Sequence, residues 1–193
     1  MKKRIVILAS GNGSNAENII KYFQKGELAE VVLVLSNRKD ANVLKRAETL
    51  DVSAASFSRE ELESSEGVLA VLKKYRPDLI VLAGFLWKFP EVIIREFPDR
   101  IINIHPALLP KYGGKGMYGD FVHQAVIENK ETESGISIHY VNEEYDEGAI
   151  ILQKSVEVDL KDTPQSLAQK IHALEYEWFP KVIEQLLRQD EDK

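Results

Sequence analysis

Along the first half of the chain, apolar residues come in short unbroken runs separated by turn residues. Residues 5–9 (Ile-Val-Ile-Leu-Ala) form the first, with no polar alternation, as expected of a strand buried on both faces of a parallel sheet. A Gly/Ser/Asn turn at 10–15 follows, then a predicted helix over 16–25. Residues 31–35 form a second apolar, β-branched run, and 42–50 predict a helix with Val43, Leu44, Ala47 and Leu50 on one face. A short strand is expected at 54–57, and a helix over 60–75 that Arg76-Pro77 terminates. Further apolar runs lie at 79–83 and 100–104. This repeated strand-turn-helix order predicts a doubly wound, mostly parallel twisted sheet with helices on both faces.

The second half changes character. Residues 135–141 and 149–158 read as strands joined by a short acidic turn at 142–148, an antiparallel C-terminal addition to the same sheet. The last element opens at Asp162-Thr163-Pro164, with Thr163 as N-cap and Pro164 at the first helical position. Leu167, Ile171, Leu174, Trp178, Val182, Ile183 and Leu186 mark its apolar face, and Pro180 is expected to kink or split it. The polar tail 189–193 is expected to fray. No repeat, low-complexity segment or linker interrupts this order, so residues 1–193 read as one α/β domain.

Charge and composition narrow the function. Lys plus Arg number 25 against 31 Asp plus Glu, for a net charge of -6. That argues against nucleic acid or a membrane surface as partner, since both require a positive footprint, but leaves small anionic substrates open. The absence of cysteine removes disulfides, thiolate metal sites and cysteine nucleophiles. Four histidines without His-x-x-x-His spacing give no support to a metal site, and no Gly-x-Ser-x-Gly elbow supports serine hydrolysis. The basic start and first apolar run break at Ser10-Gly11-Asn12-Gly13, too soon for a signal peptide. No apolar stretch approaches the roughly 20 residues that span a bilayer. A cytoplasmic location is expected.

Three places could carry chemistry. The turn Ser10-Gly-Asn-Gly-Ser-Asn15 lies between a buried strand and a helix, where backbone N–H groups and a helix N-terminus can cradle an anion. It lacks the third glycine of a dinucleotide fingerprint and the lysine of a P-loop, and a capped tight turn is the plainer reading. Asn103 and His105 lie two apart at the carboxyl end of a predicted central strand, so period two places them on one face, where open α/β sheets bind ligands. Pro106 and Pro110 then restrict the following loop. A hydrogen-bonded core histidine with an asparagine ending the strand is the alternative. Asp146 sits in the acidic loop, whose other members, Glu143, Glu144 and Glu147, read as solvated. His139 alternates with apolar neighbours and reads as a structural ligand of the loop. His123 and His172, on predicted helices, read as surface or internally satisfied.

Together, Ser10-Gly-Asn-Gly-Ser-Asn15, Leu82-Ala-Gly-Phe85, Asn103-Ile-His-Pro-Ala-Leu-Leu-Pro110 and Asp146-Glu-Gly148 resemble the folate-dependent formyltransferases, in order and over essentially the whole chain. The N-terminal turn narrows the resemblance to those members that formylate glycinamide ribonucleotide. The resemblance implies a Rossmann-like formyltransferase fold, with 10-formyltetrahydrofolate as cosubstrate and no metal. It implies Asn103, His105 and Asp146 as the catalytic trio. Gly13, Ser14 and Asn15 would hold the substrate phosphate. Gly84, Leu86 and Pro106 would line the ribose and glycinamide channel, and Glu175 would bind the ribose hydroxyls. Leu86, Trp87, Lys88, Phe89, Asn103, Val141 and Asp146 would frame the pterin. Two departures stand out. The stretch Tyr112-Gly-Gly-Lys-Gly-Met-Tyr-Gly119 is longer and richer in glycine than the family pattern, with only His123 left of a histidine pair. Trp87-Lys88 stands where an Arg-aliphatic pair is common.

The mechanism so implied is direct attack of the amine on the formyl carbon. Asn103 and a charged His105 would donate to the oxyanion, and Asp146 would raise the His105 pKa and organise a proton-carrying water. Formyltetrahydrofolate hydrolysis and methionyl-tRNA formylation fit less well, because the chain begins at its first strand and few residues follow its last helix. A regulatory binding module on the same fold would have no use for the trio. The protein is expected to be a monomer or homodimer.

Overall fold

The computed structural model describes residues 1–189, so all of the expected frayed tail beyond Gln189 lies outside the described residues. One seven-stranded sheet runs in the order β3-β2-β1-β4-β5-β6-β7. Its strands are β1 (Lys3–Leu8), β2 (Ala29–Ser36), β3 (Ala54–Ser56), β4 (Leu79–Leu82), β5 (Ile101–His105), β6 (Glu133–Tyr140) and β7 (Ile150–Glu157). The first five are mutually parallel, and β6 and β7 add on antiparallel, as the sequence predicts. After β1 the chain builds β2 and β3 on one side and then crosses to β4 on the other. This order reversal opens a crevice at the carboxyl ends of β1 and β4, where ligands bind in such sheets.

The helices are α1 (Ser14–Phe23), α2 (Asn42–Thr49), α3 (Arg59–Glu63), α4 (Val68–Tyr75), α5 (Glu91–Glu96), α6 (Asp120–Glu128) and α7 (Pro164–Gln189). Alternate residues of the central strands feed two cores. Ile5, Ile7, Val81, Ile102 and Ile104 pack with α1, α2, α6 and α7 on one face. Val6, Leu8, Ile80, Leu82 and Ile101 pack with α3, α4 and α5 on the other. This double burial is what the unalternating apolar runs required. No described helix is long and apolar enough to cross a membrane.

Three details differ from the sequence reading. The helix expected over 60–75 is two helices. Ser58 caps α3 in a reciprocal capping box with Glu61, and a Cβ on Gly67 would stand 1.9 Å from the Glu61 carbonyl oxygen, so the chain folds back where one helix would have continued. The Pro90-capped α5 was not anticipated. Helix α7 is not split: it runs through Pro180, which is buried with Phe179 and Ile183. Thr163 does cap it, its Oγ1 accepting from Ser166 N–H at 3.2 Å.

Candidate active site

The glycine-rich turn brings the chain from β1 into α1 with its amides exposed. Gly13 precedes the helix in the left-handed region (φ 77) and offers no side-chain cap, which leaves the first N–H groups of α1 without a partner from a capping side chain. Only glycine fits there, because a Cβ would lie 2.3–2.7 Å from Val43, its Cα included. Asn15, one residue into the helix, donates from Nδ2 to Glu175 Oε2 at 2.8 Å, tying the turn to α7. Asn15 Oδ1 is buried and makes no hydrogen bond among the described residues. Burial raises the Glu175 carboxyl above the ordinary carboxylate value, against the Asn15 bond and the nearby His172, which lower it. The turn thus presents an uncapped helix N-terminus beside a buried carboxyl that accepts from Asn15.

On the neighbouring strand end, Ser10 Oγ accepts from Leu86 N–H at 2.9 Å and Ser10 N–H donates to Gly84 O at 3.0 Å. These bonds clamp the turn to the segment after β4, where Gly84 also adopts a positive φ (73). Leu86 is 44% exposed, whereas Phe89 is 5% exposed and packs edge-on against Phe85 in the core. Of the residues expected to frame a pterin, Phe89 therefore has only its backbone to offer. Trp87 sits against Phe57 and under Arg59, whose guanidinium is 4.7 Å from the ring centroid. Lys88 reaches across to Glu144 at 3.6 Å, joining the 86–89 segment to the acidic loop. Glu144 is exposed, as expected of a solvated loop acid, and pairs with Lys88 at the surface.

Asn103 and His105 do project from the same face of β5, and Asp146 reaches both. Asn103 Nδ2 lies 3.0 Å from His139 Nε2 and 3.4 Å from Asp146 Oδ1. His139 sits directly opposite Asn103 on β6, and its Nδ1 faces the Tyr140 carbonyl at 2.8 Å. A carbonyl only accepts, so Nδ1 carries the proton and Nε2 accepts from the Asn103 amide. His139 therefore orients Asn103, a role beyond ligating the loop.

The same logic fixes His105. Its Nε2 lies 2.7 Å from the Tyr112 carbonyl and must donate, which leaves Nδ1, 3.5 Å from Asp146 Oδ2, as the nitrogen with the lone pair. Asp146 adopts a left-handed backbone (φ 57) and accepts from Gly114 N–H at 2.9 Å. Two glycines let its loop close. A Cβ on Gly148 would lie 1.7 Å from the Tyr140 carbonyl oxygen, and one on Gly113 would press on Leu109 and Asp146. The loop after His105 is pinned by Ser137, which donates to Ala107 O at 2.7 Å and accepts from Leu109 N–H and Gln153.

Electrostatics revise one expectation. Burial pushes His105 below the ordinary histidine value, and the opposing pull of Asp146 and the Tyr112 carbonyl does not restore it. At neutral pH the unliganded imidazole is therefore predominantly neutral, not the imidazolium expected. For Asp146, burial acts upward, yet the neighbouring His139 and His105 rings and the Gly114 N–H together hold the carboxyl below the usual range. A lone pair on Nδ1 and a carboxylate oxygen thus face each other as two acceptors 3.5 Å apart. His123, expected at the surface or satisfied, is buried with Nδ1 unbonded among the described residues. His172 is exposed and stacks on Tyr176.

Residues 3–183 match the model of the formyl transferase family. Chloroplastic phosphoribosylglycinamide formyltransferase of Arabidopsis thaliana is 39% identical, over 94% of this chain and 64% of its own length. Phosphoribosylglycinamide formyltransferase of Bacillus subtilis is 34% identical over 96% of this chain and 95% of its own. The solved structure of that enzyme from Coxiella burnetii superposes with a TM-score of 0.83 at 40% identity, covering 94% of this chain and 85% of that one.

Proposed function

The chain belongs to the formyl transferase family, and on that premise we propose that it transfers the formyl group of 10-formyltetrahydrofolate to the amine of glycinamide ribonucleotide, a step of purine synthesis. The observation that carries this reading is the meeting of Asn103, His105 and Asp146 at the carboxyl end of the sheet, beside an uncapped helix N-terminus. A phosphate suits the amides of Gly13, Ser14 and Asn15. Glu175 offers an acceptor for ribose hydroxyls one bond away from Asn15. The glycinamide arm would then pass Gly84, Leu86 and Pro106 toward the trio. The pterin would lie between the 86–89 segment and the loop from Val141 to Asp146, which Lys88 and Glu144 already bridge.

Chemistry follows from the proton positions. The amine nitrogen attacks the formyl carbon, a C–N bond forms, and the carbonyl electron pair moves to oxygen. Both Asn103 N–H groups are engaged in the free site. The 3.4 Å bond to Asp146 is the weaker, so that N–H is the one free to turn to the oxyanion. Such a donor is typically worth about 3–4 kcal/mol. His105 Nδ1 takes the amine proton and becomes the imidazolium that Asp146 stabilises. The intermediate collapses as the proton passes to the departing folate nitrogen and its C–N bond breaks. Burial of His105 suits this role, since a base must be unprotonated before it acts.

The test is product formation. Formyl-folate and glycinamide ribonucleotide together should give formylated product, and Asn103→Ala should slow it by roughly 100- to 1,000-fold. Product from free formate and ATP without formyl-folate would contradict the reading.

A further inference from the structure

Tyr112 lies outside the trio and touches His105 through its backbone only. Its carbonyl receives the His105 Nε2 proton at 2.7 Å, and to aim it there Tyr112 adopts a left-handed backbone (φ 57) that a bulky side chain rarely takes. Such a conformation persists where the surroundings hold it. The side chain supplies that hold. Its hydroxyl donates to Glu131 Oε1 at 2.9 Å, across 19 residues, and Glu131 is met by Lys111 Nζ at 3.1 and 3.2 Å. Glu131 stands in the connection between α6 and β6, the strand that also carries His139 and Ser137. The loop carrying the His105 acceptor is thus tied to the connection that leads into β6.

We propose that Tyr112 and Glu131 form a latch that positions His105, holding its proton on Nε2 and so keeping Nδ1 open to the amine. Tyr112 is a positioning residue, since it acts on His105 through its carbonyl while its hydroxyl is engaged by Glu131. Lys111 contributes little, because its side chain is largely exposed and an exposed ion pair is weakly coupled. Without the latch, the Tyr112 carbonyl relaxes toward ordinary backbone geometry. The proton then redistributes between the ring nitrogens and the productive tautomer loses population. The inference rests on the assignment of His105 to proton transfer.

Two readouts separate the latch from that assignment. The ring 15N chemical shifts of His105 in the free protein report the tautomer without reference to turnover. They should give a protonated Nε2 in the parent and mixed nitrogens in Tyr112→Phe and Glu131→Ala. In the same variants kcat should fall about three- to tenfold with both KM values within about twofold. Glu131→Gln, which keeps an acceptor for the hydroxyl, should restore both readouts. The double variant Tyr112→Phe/Glu131→Ala should be no worse than the poorer single one. Unchanged 15N shifts in both single variants would overturn the latch, whatever the rates. So would losses in kcat that accompany a fallen Tm and additive singles, since these mark a merely structural tether. Normal turnover in His105→Ala would instead overturn the catalytic assignment, and the 15N shifts would still decide the latch.

Discussion

On the proposed reading, Asn103, His105 and Asp146 divide the work by proton ownership. Asn103 owns two N–H groups, His105 has a free lone pair at Nδ1, and Asp146 holds a negative charge close to both. Since burial sets His105 below the ordinary histidine value, the account expects a single acidic limb in the pH profile of kcat. Activity should fall as pH drops through that lowered pKa and stay flat above neutrality, as a pH-rate series will report. A profile that declined on the alkaline side between pH 6 and 8 would mean that the imidazolium is the resting form. Part of the proposed trio was legible in the sequence: Asn-x-His at a strand end obeys period two, which placed Asn103 and His105 on one face, while Asp146 entered through the family resemblance alone. The trio's protonation was not legible. That depends on Tyr112, Gly114 and His139, which come from a loop and a partner strand, and on burial, which no local pattern displays. A glycine-rich stretch beside Pro110 hinted at the loop, though nothing in it marked a carbonyl aimed at His105.

At the scale of elements, the β1–α1 connection carries the substrate end of the account. Gly13 is required twice over, by its left-handed φ and by the Val43 backbone and side chain within 2.7 Å of where a Cβ would stand. Gly13→Ala should cost at least about 1 kcal/mol in stability from the backbone conformation alone. It should also raise KM for the nucleotide substrate far more than KM for the folate, as steady-state titration of each substrate will show. The central strands were readable because burial on both faces leaves a continuous apolar run. The break between α3 and α4 was misread although Ser58-x-x-Glu61 is a capping box in plain sight. The break falls at Gly67, whose close contact with Glu61 is a tertiary fact that no local pattern displays. At Pro180 the split alternative does not occur: the residue is buried and the helix is retained across the lost hydrogen bond.

For the whole molecule, stability and activity share the same titrating groups. His105 and His123 are both buried with lowered pKa values, His123 chiefly by burial and then by His172. A depressed pKa contributes stability that is present above the ordinary histidine value and is lost as pH falls through the folded one. Glu175, raised by burial, has the opposite sign, its contribution being fullest below the ordinary carboxylate value. Thermal unfolding followed from pH 8 down to 5 should therefore show a falling Tm. His123→Gln, outside the proposed machinery, should flatten that fall; an unchanged slope would assign the acid sensitivity elsewhere. The overall architecture followed from the sequence because strand order obeys connection rules. The path of the 142–148 loop back over Asn103 did not, since it depends on Gly148 packing against Tyr140. That path brings Asp146 to Asn103 and His105, so the most direct test of the account is kcat for Asp146→Asn with formyl-folate and glycinamide ribonucleotide. The expected result is a loss of at least about 100-fold with the Tm retained; near-parental turnover in a folded variant would contradict it.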